Sequence, residues 1–249
     1  MAEHQGSFIW YELMSTDTKA AEAFYASVVG WTPRAFEGGL DYTVLNAGAD
    51  GVGGIMASPP GMPTFWIGYV GVADTDAACR SLAAAGGKVE KEPWDIPGVG
   101  RLAAVSDPAG AAFMLMTPQG EGERPTPPMG APGHVGWHEL HTGDWEKAYA
   151  FYSGQYGWAK GEAMDMGAMG TYQLIIEGDA PFGAMFNSTQ IPRPMWLFYF
   201  NVASIDAAVE KVKSGGGQVI NGPMEVPGGT WIINGVDPQG AMFALTGPR

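Results

Sequence analysis

The sequence predicts an α+β fold laid out twice: two domains in tandem, each made of two βαβββ units. Three observations carry this expectation. The first half of the chain reappears in the second half. A stretch rich in proline and glycine separates the halves. Inside each half, short alternating strands surround two helices that carry start and stop signals.

The repeat is legible residue by residue. Trp10-Tyr11-Glu12-Leu13 returns as Trp137-His138-Glu139-Leu140, Phe24-Tyr25 as Phe151-Tyr152, and Gly30-Trp31 as Gly157-Trp158. Residues 10–31 set against 137–158 give ten identities in 22 positions. Residues 66–118 set against 196–248 give twenty in 53, without a gap. Among these are Trp66/Trp196, Tyr69/Tyr199, Pro97-Gly98/Pro227-Gly228 and Asp107-Pro108/Asp237-Pro238. Self-similarity of this kind marks a duplicated structural unit. Between the copies, Gln119 to Pro132 carries three glycines and four prolines. That composition supports neither a helix nor a central strand. Domains are therefore expected at 1–120 and 133–249, joined by a linker over 121–132.

Each element has a local cause. Phe8 to Ser15 alternates in polarity, as a half-buried strand does. Asp17 and Asp144 then offer short acceptor side chains to the free amides of a first helical turn. Ala20, Ala23, Phe24 and Val28 follow at helical spacing. Gly30 and Gly157 stand at the C-terminal stop. Strands are expected near Tyr42–Leu45 and Gly53–Ala57, then from Phe65 to Val72. Asp74 and Ser204 cap the second helix of each copy, which closes at Gly86-Gly87 or Gly216-Gly217. Strands near Lys88–Lys91, Leu102–Val105 and Ala112–Thr117 complete the copy. Asp107-Pro108-Ala109-Gly110 and Asp237-Pro238-Gln239-Gly240 read as turns, because proline fixes φ at the second position and glycine frees the fourth.

Composition narrows the class of partner. Hydrophobic residues make up 46% of the 249 and charged residues 16%, enough apolar material for packed cores. No apolar run approaches the ~20 residues of a membrane span. Met1 to Ser7 is polar and lacks the apolar core of a signal peptide. Cys79 is the single cysteine, which excludes an internal disulfide framework and suits a reducing compartment. A cytoplasmic protein, monomer or homodimer, is the expectation. The net charge of −13 repels phosphate backbones, so a small molecule is a better partner than a nucleic acid or a membrane.

The order of these motifs resembles the vicinal oxygen chelate superfamily, which includes glyoxalases, bleomycin-resistance proteins and dioxygenases. The residues that carry the resemblance are the strand, the Asp-capped helix with Phe-Tyr and Gly-Trp, the apolar strand ending in Val-Ala-Asp-Thr-Asp, Gly-Gly-Lys-Val, and Asp-Pro-x-Gly before the closing strand. The likeness covers nearly the whole chain, twice, and is closest to tandem-domain glyoxalase-like proteins. It implies that the two βαβββ units of a domain curl into an open, cup-shaped β-barrel that holds a ligand. It also implies a divalent metal as the usual cofactor, held by His, Gln or Glu on three strands. By spacing, those positions fall on Trp10, Ile67 and Met114 in the first copy. In the second they fall on Trp137, Leu197 and Ala244. None except Met114, a weak soft donor, can ligate, and the neighbours Tyr11/His138, Gly68/Phe198 and Phe113/Phe243 form no metal set either. No cofactor is expected.

Alternation along the strands then gives the residues facing each cup. In the first copy these are Trp10, Glu12, Met14, Ile67, Tyr69, Met114 and Met116. In the second they are Trp137, Glu139, His141, Leu197, Tyr199, Asn201, Ala244 and Thr246. Each cup thus has one carboxylate, one phenol and a tryptophan wall. A carboxylate buried in an apolar cup has its charged form disfavoured, which poises it as a general base. Tyr199, or His141, is placed to stabilise a developing enolate, with Tyr69 as the phenol of the first cup. The catalytic candidates are Glu139, His141, Tyr199, Glu12 and Tyr69; the others are candidate ligand contacts. Glu12 and Glu139 equally admit a structural reading, as carboxylates bonded to buried strand or loop groups. His138-Glu139-Leu140-His141 lacks the helical His-Glu-x-x-His spacing of zinc proteases, and its two histidines point to opposite faces of a strand.

Three functions follow. The leading one is a protein that binds a small apolar or aromatic carbonyl compound, with metal-independent isomerase or lyase chemistry from a glutamate base. The second is a binding protein that sequesters its ligand, as bleomycin-resistance proteins do. The third is a metal-dependent lyase or dioxygenase that uses Glu139, His141 and a further ligand.

Overall fold

A computed structural model describes residues 5–119, 127–188, 191 and 193–249. Half of the expected linker, residues 121–126, lies outside them, as do residue 120 and the start of the N-terminal segment. In the first copy the elements are β1 (Phe8–Ser15), α1 (Thr18–Val28), β2 (Thr32–Ala35), β3 (Tyr42–Ala47) and β4 (Asp50–Ala57). They continue as β5 (Phe65–Gly71), α2 (Thr75–Ala84), β6 (Lys88–Ile96), β7 (Gly100–Ser106) and β8 (Ala112–Pro118). The second copy opens with β9 (Val135–Thr142), α3 (Trp145–Tyr156), β10 (Ala159–Asp165), a 3₁₀ turn (Gly167–Met169), β11 (Thr171–Glu177) and β12 (Ala180–Asn187). It closes with β13 (Met195–Asn201), α4 (Ile205–Ser214), β14 (Gln218–Val226), β15 (Thr230–Val236) and β16 (Met242–Gly247). Each copy therefore reads βαβββ twice. Among the described residues, no helix is long and apolar enough to cross a membrane.

Each copy forms one mixed eight-stranded sheet, in the order β2-β3-β4-β1-β5-β8-β7-β6 and its counterpart β10-β11-β12-β9-β13-β16-β15-β14. Within a βαβββ unit the helix carries the chain across, and the next three strands return as an antiparallel meander. The last strand ends up parallel to the first, as in β1 with β4 and β5 with β8. The sheets are open, with β2 and β6 or β10 and β14 at their edges, and are not closed into barrels.

The helix signals act as the residues require. Asp17, Asp74, Asp144 and Ser204 each accept a bond from the backbone amide three residues on. Gly30 and Gly157 take φ of +90° and +74°, the left-handed conformation that stops α1 and α3 without a Cβ penalty. Two strands escape the alternation pattern. β2 is the four-residue Thr-Pro-Arg-Ala, and β10 is mostly exposed along its length, so neither shows an apolar face. β6 runs on past Lys91 to Ile96, with register shifts at Lys91–Trp94 that accommodate Pro93 on this edge strand.

Contacts group the chain into two compact units that cut across the copies. Unit 1 is Met1–Trp10, Ile67–Glu123 and His138–Trp196; unit 2 is Tyr11–Trp66, Arg124–Trp137 and Leu197–Arg249. Each unit joins one half of the first copy to one half of the second, and a short polar chain runs through its core. In unit 2, Trp66 Nε1 donates to the Tyr25 hydroxyl at 2.8 Å, and Tyr25 donates to Asp237 Oδ2 at 3.0 Å. In unit 1, Trp196 donates to Tyr152 at 2.9 Å, and Tyr152 to Asp107 at 3.3 Å. The other oxygen of Asp107 and of Asp237 accepts two backbone amides of its own turn. Burial first, then the neighbouring aspartate, keeps both tyrosines well above the ordinary phenol range, so each stays a neutral donor. Burial likewise raises both aspartates. The Asp-Pro-x-Gly segments are turns, and their aspartates also bind the two copies together inside each unit. A buried acceptor stripped of these donors would cost about 1–3 kcal/mol.

Candidate functional site

The strand that opens each copy places alternate side chains on opposite faces of its sheet. On β9, Leu140 and Thr142 are buried on one face, while Trp137 and His141 are partly exposed on the other. Glu139 shares the face of Trp137 and His141. On β1, Leu13 and Ser15 are buried and Trp10 and Met14 half-exposed, with Glu12 on their face.

In unit 1 the strand register builds a site outward from Glu139. Met164 pairs with Tyr172, Tyr172 with Phe186, and Phe186 with His141, so four strands present one row of side chains on one face. Met164, Tyr172 and Phe186 are partly exposed, and the His141 side chain is 11% exposed. The adjacent row is Leu174, Ala184 and Glu139. The small Ala184 leaves room above it, and Tyr172 reaches Glu139 diagonally: its hydroxyl donates to Oε1 at 2.7 Å. The other carboxylate oxygen, Oε2, lies 2.8 Å from His141 Nε2. His141 packs edge-on against Phe186 at 4.6 Å, and its Nδ1 is buried with no hydrogen-bond partner among the described residues. Both oxygens of Glu139 are thus engaged by side chains that belong to the same face. The surroundings of this carboxylate are polar as well as aromatic, unlike the apolar cup that strand alternation alone suggests.

Unit 2 carries the equivalent rows of the first copy. Tyr42 pairs with Met56, and Met56 with Met14; beside them lie Val44, Gly54 and Glu12. The Tyr42 ring lies directly over Gly54, where any Cβ would overlap its hydroxyl end. Tyr42 and Tyr172 were not among the sequence candidates. Their partnership with this face spans two strands and depends on register and on a small residue between, which no local pattern encodes.

The remaining candidates sit as follows. Ile67, Tyr69, Met114 and Met116 are buried in unit 1, and Leu197, Tyr199, Asn201, Ala244 and Thr246 in unit 2. Asn234 donates to the Tyr199 hydroxyl at 3.1 Å. Asn201 donates from Nδ2 to the Ala131 carbonyl. The structure thus brings Glu139 and His141 together and adds Tyr172 and Phe186, while Tyr199 belongs to unit 2 with Asn234.

His138 lies on the opposite face from His141, as strand geometry requires. It stacks on Phe8 at 4.6 Å, and its Nδ1 is 3.0 Å from the Phe182 carbonyl. Burial pushes its pKa down to about 4, against a smaller upward pull from that carbonyl, so it is a neutral core residue. A separate concavity of about 510 Å³ in unit 1 is lined by residues of α3, Ala85 and the Asp107–Ala109 turn, none of them a sequence candidate.

The side chains at the positions where spacing expects the superfamily's metal ligands do not fit a divalent cation. Ile67, Met114, Leu197 and Ala244 are buried hydrocarbon or thioether groups, and Trp10 and Trp137 offer an N–H with no lone pair. Among the described residues, no group of three or more His, Cys, Asp or Glu is arranged to hold a metal.

Comparison with known proteins agrees with the fold. The family model described as the glyoxalase/bleomycin resistance protein/dioxygenase superfamily matches residues 7–115 and again 132–245. CFP32 of Mycobacterium tuberculosis, provisionally named a glyoxylase, is 33% identical over 253 residues, covering 98% of this chain and 95% of its own. The anthracycline biosynthesis protein DnrV of Streptomyces peucetius is 32% identical over 262 residues, covering 96% of this chain and 92% of its own. Among solved structures, the Mn(II)-bound glyoxalase of Novosphingobium aromaticivorans superposes with a TM-score of 0.69 at 20% identity, covering 96% of this chain and 81% of that one. The dioxygenase LapB of Pseudomonas sp. KL28 gives 0.66 at 14% identity, covering 95% and 90%.

Proposed function

The chain belongs to the glyoxalase/bleomycin resistance protein/dioxygenase superfamily, with two copies of its domain, and from that premise we propose that it binds a small aromatic carbonyl compound on the Glu139 face and moves a proton beside the carbonyl without a metal. The reaction class is isomerase or lyase. The observation that carries this reading is the Glu139 carboxylate held between His141 and Tyr172 on a half-exposed aromatic face. A carboxylate fixed by two side chains is positioned to accept a proton from an acidic carbon. As it does so, the C–H electron pair forms a C=C bond and the carbonyl π pair moves to the oxygen, giving an enolate. The Tyr172 hydroxyl, released from a carboxylate that has become neutral, is then a donor for that oxygen. Tyr199, a further candidate donor, belongs to unit 2, where its hydroxyl accepts from Asn234. The provisional glyoxylase name of one relative supports a carbonyl ligand, and the anthracycline biosynthesis name of the other supports a fused aromatic one.

The second reading is a ligand-sequestering protein. It is favoured by the fact that both Glu139 oxygens already have partners, so the carboxylate is stable without reacting. Solvent exchange separates the two. In D₂O, the protein should accelerate loss of the α-proton signal of β-tetralone, a fused-ring aromatic ketone. Glu139→Gln should lower that rate by about a hundredfold or more while leaving tetralone affinity within about twofold. Full exchange by the variant would sink the proton-transfer reading. Binding with no exchange by either protein would establish sequestration instead.

A further inference from the structure

The β10–β11 hairpin holds three methionines within six residues: Met164, Met166 and Met169. Met166 and Met169 are 37% and 52% exposed, unusual for large apolar side chains, and Met164 is half-exposed. Their placement is not scattered. Met164 is the cross-strand partner of Tyr172 and so stands on the face that carries Tyr172, Phe186 and His141. Met166 follows it by two residues, just past the end of β10 and at the start of the 3₁₀ turn. The 3₁₀ turn then brings Met169 beside Met166, because side chains three apart eclipse in that geometry and the Met169 amide donates to the Met166 carbonyl. Met164 thus ends the row that begins at His141, and Met166 and Met169 adjoin it along the chain, on the side away from the carboxylate.

We infer that Met164, Met166 and Met169 form the outer end of a platform for a flat, multi-ring aromatic ligand, whose carbonyl end lies at Glu139 and His141. The inference rests on the ligand reading above and adds its size and shape. One pairing step along the row is about 5 Å, so the four paired residues from His141 to Met164 span about 15 Å. A single ring covers Phe186 and Tyr172 at most; three fused rings reach the methionines. Thioethers suit such a ligand, since they are polarizable, make favourable contacts with aromatic rings and adapt to different outlines. Their exposure in the free protein is then the exposure of a contact surface awaiting its ligand. In the first copy the residue across from Tyr42 is Phe36, and Glu37-Gly38-Gly39 after it holds no methionine.

The test uses two probes, 3,4-dihydroanthracen-1(2H)-one, whose ketone is on an end ring of three, and acetophenone with one ring. Their affinities are measured by titration of the whole protein, together with the ¹³C-methyl signals of its methionines. The tricyclic probe should shift the signals of Met164, Met166 and Met169. The Met166→Ser/Met169→Ser variant should bind it about tenfold more weakly, and Met166→Leu/Met169→Leu should recover part of that loss. Acetophenone should bind wild type and both variants alike. Equal binding of the tricycle by all three proteins, unmoved methyl signals, or an equal loss for acetophenone would overturn the platform while leaving the ligand reading intact. Failure of wild type to bind either probe would overturn the ligand reading, and the platform with it.

Discussion

Two equivalent sheet faces, one in each unit, show what duplication kept and what it released. On β3, β4 and β1 the row reads Tyr42, Met56, Met14; on β11, β12 and β9 it reads Tyr172, Phe186, His141. The tyrosine and the adjoining glutamate, Glu12 or Glu139, are present in both. What differs is the third member. Met14 is a soft apolar side chain, whereas His141 is an imidazole with Nε2 2.8 Å from a carboxylate oxygen. The polar chains from tryptophan to tyrosine to aspartate, by contrast, are the same in both units. Core chemistry is thus duplicated intact, and face chemistry has diverged, so the proposed reaction falls to the second copy.

The comparison can be broken on the buried side of the same strands. His138 occupies the place of Tyr11. With a native pKa of about 4 and an unfolded value near 6.5, the unfolded chain holds a proton in that window that the native protein does not. Stability from His138 is therefore complete above pH ~6.5 and lost as pH falls toward ~4, by up to about 3 kcal/mol. His138→Phe removes the titration, so urea unfolding at pH 7 and at pH 4 should show the wild type losing more stability than the variant by about that amount. Equal losses would place the histidine in contact with solvent. Aspartates 107 and 237, raised by burial, act with the opposite sign in both proteins and cancel in the difference.

A smaller effect sharpens the contrast between the faces. Gly54 lies under the Tyr42 ring, while Ala184 holds the same place beside Tyr172. Gly54→Ala should cost about 1–3 kcal/mol by forcing the ring aside. Ala184→Gly should cost only about 0.5–1 kcal/mol, the backbone entropy of glycine. Thermal unfolding of the two variants checks the order. The reverse ranking would mean that the two tyrosines sit alike and that the faces differ less than their contacts indicate.

The fold was legible because its signals are local and occur twice. Caps, stops and alternation mark β1, α1, β5 and α2, and the same signals return after residue 133. β2 and β10 gave no signal, since short or exposed strands have no apolar face to reveal. The candidate site was legible in part. Glu139 and His141 follow from alternation on one strand. Tyr172 needed the β11–β12–β9 register, and Asp107 and Asp237 read as turn residues because their tyrosine donors lie 45 and 212 residues away.

The most direct measurement is a crystal structure of the protein soaked with β-tetralone. Divergence of the two faces predicts the ring over Tyr172 and Phe186, with the ketone oxygen within hydrogen-bonding distance of the Glu139–His141–Tyr172 group. A ligand found only on the Tyr42–Met56–Met14 face, or only in the concavity along α3, would contradict the assignment of function to the second copy.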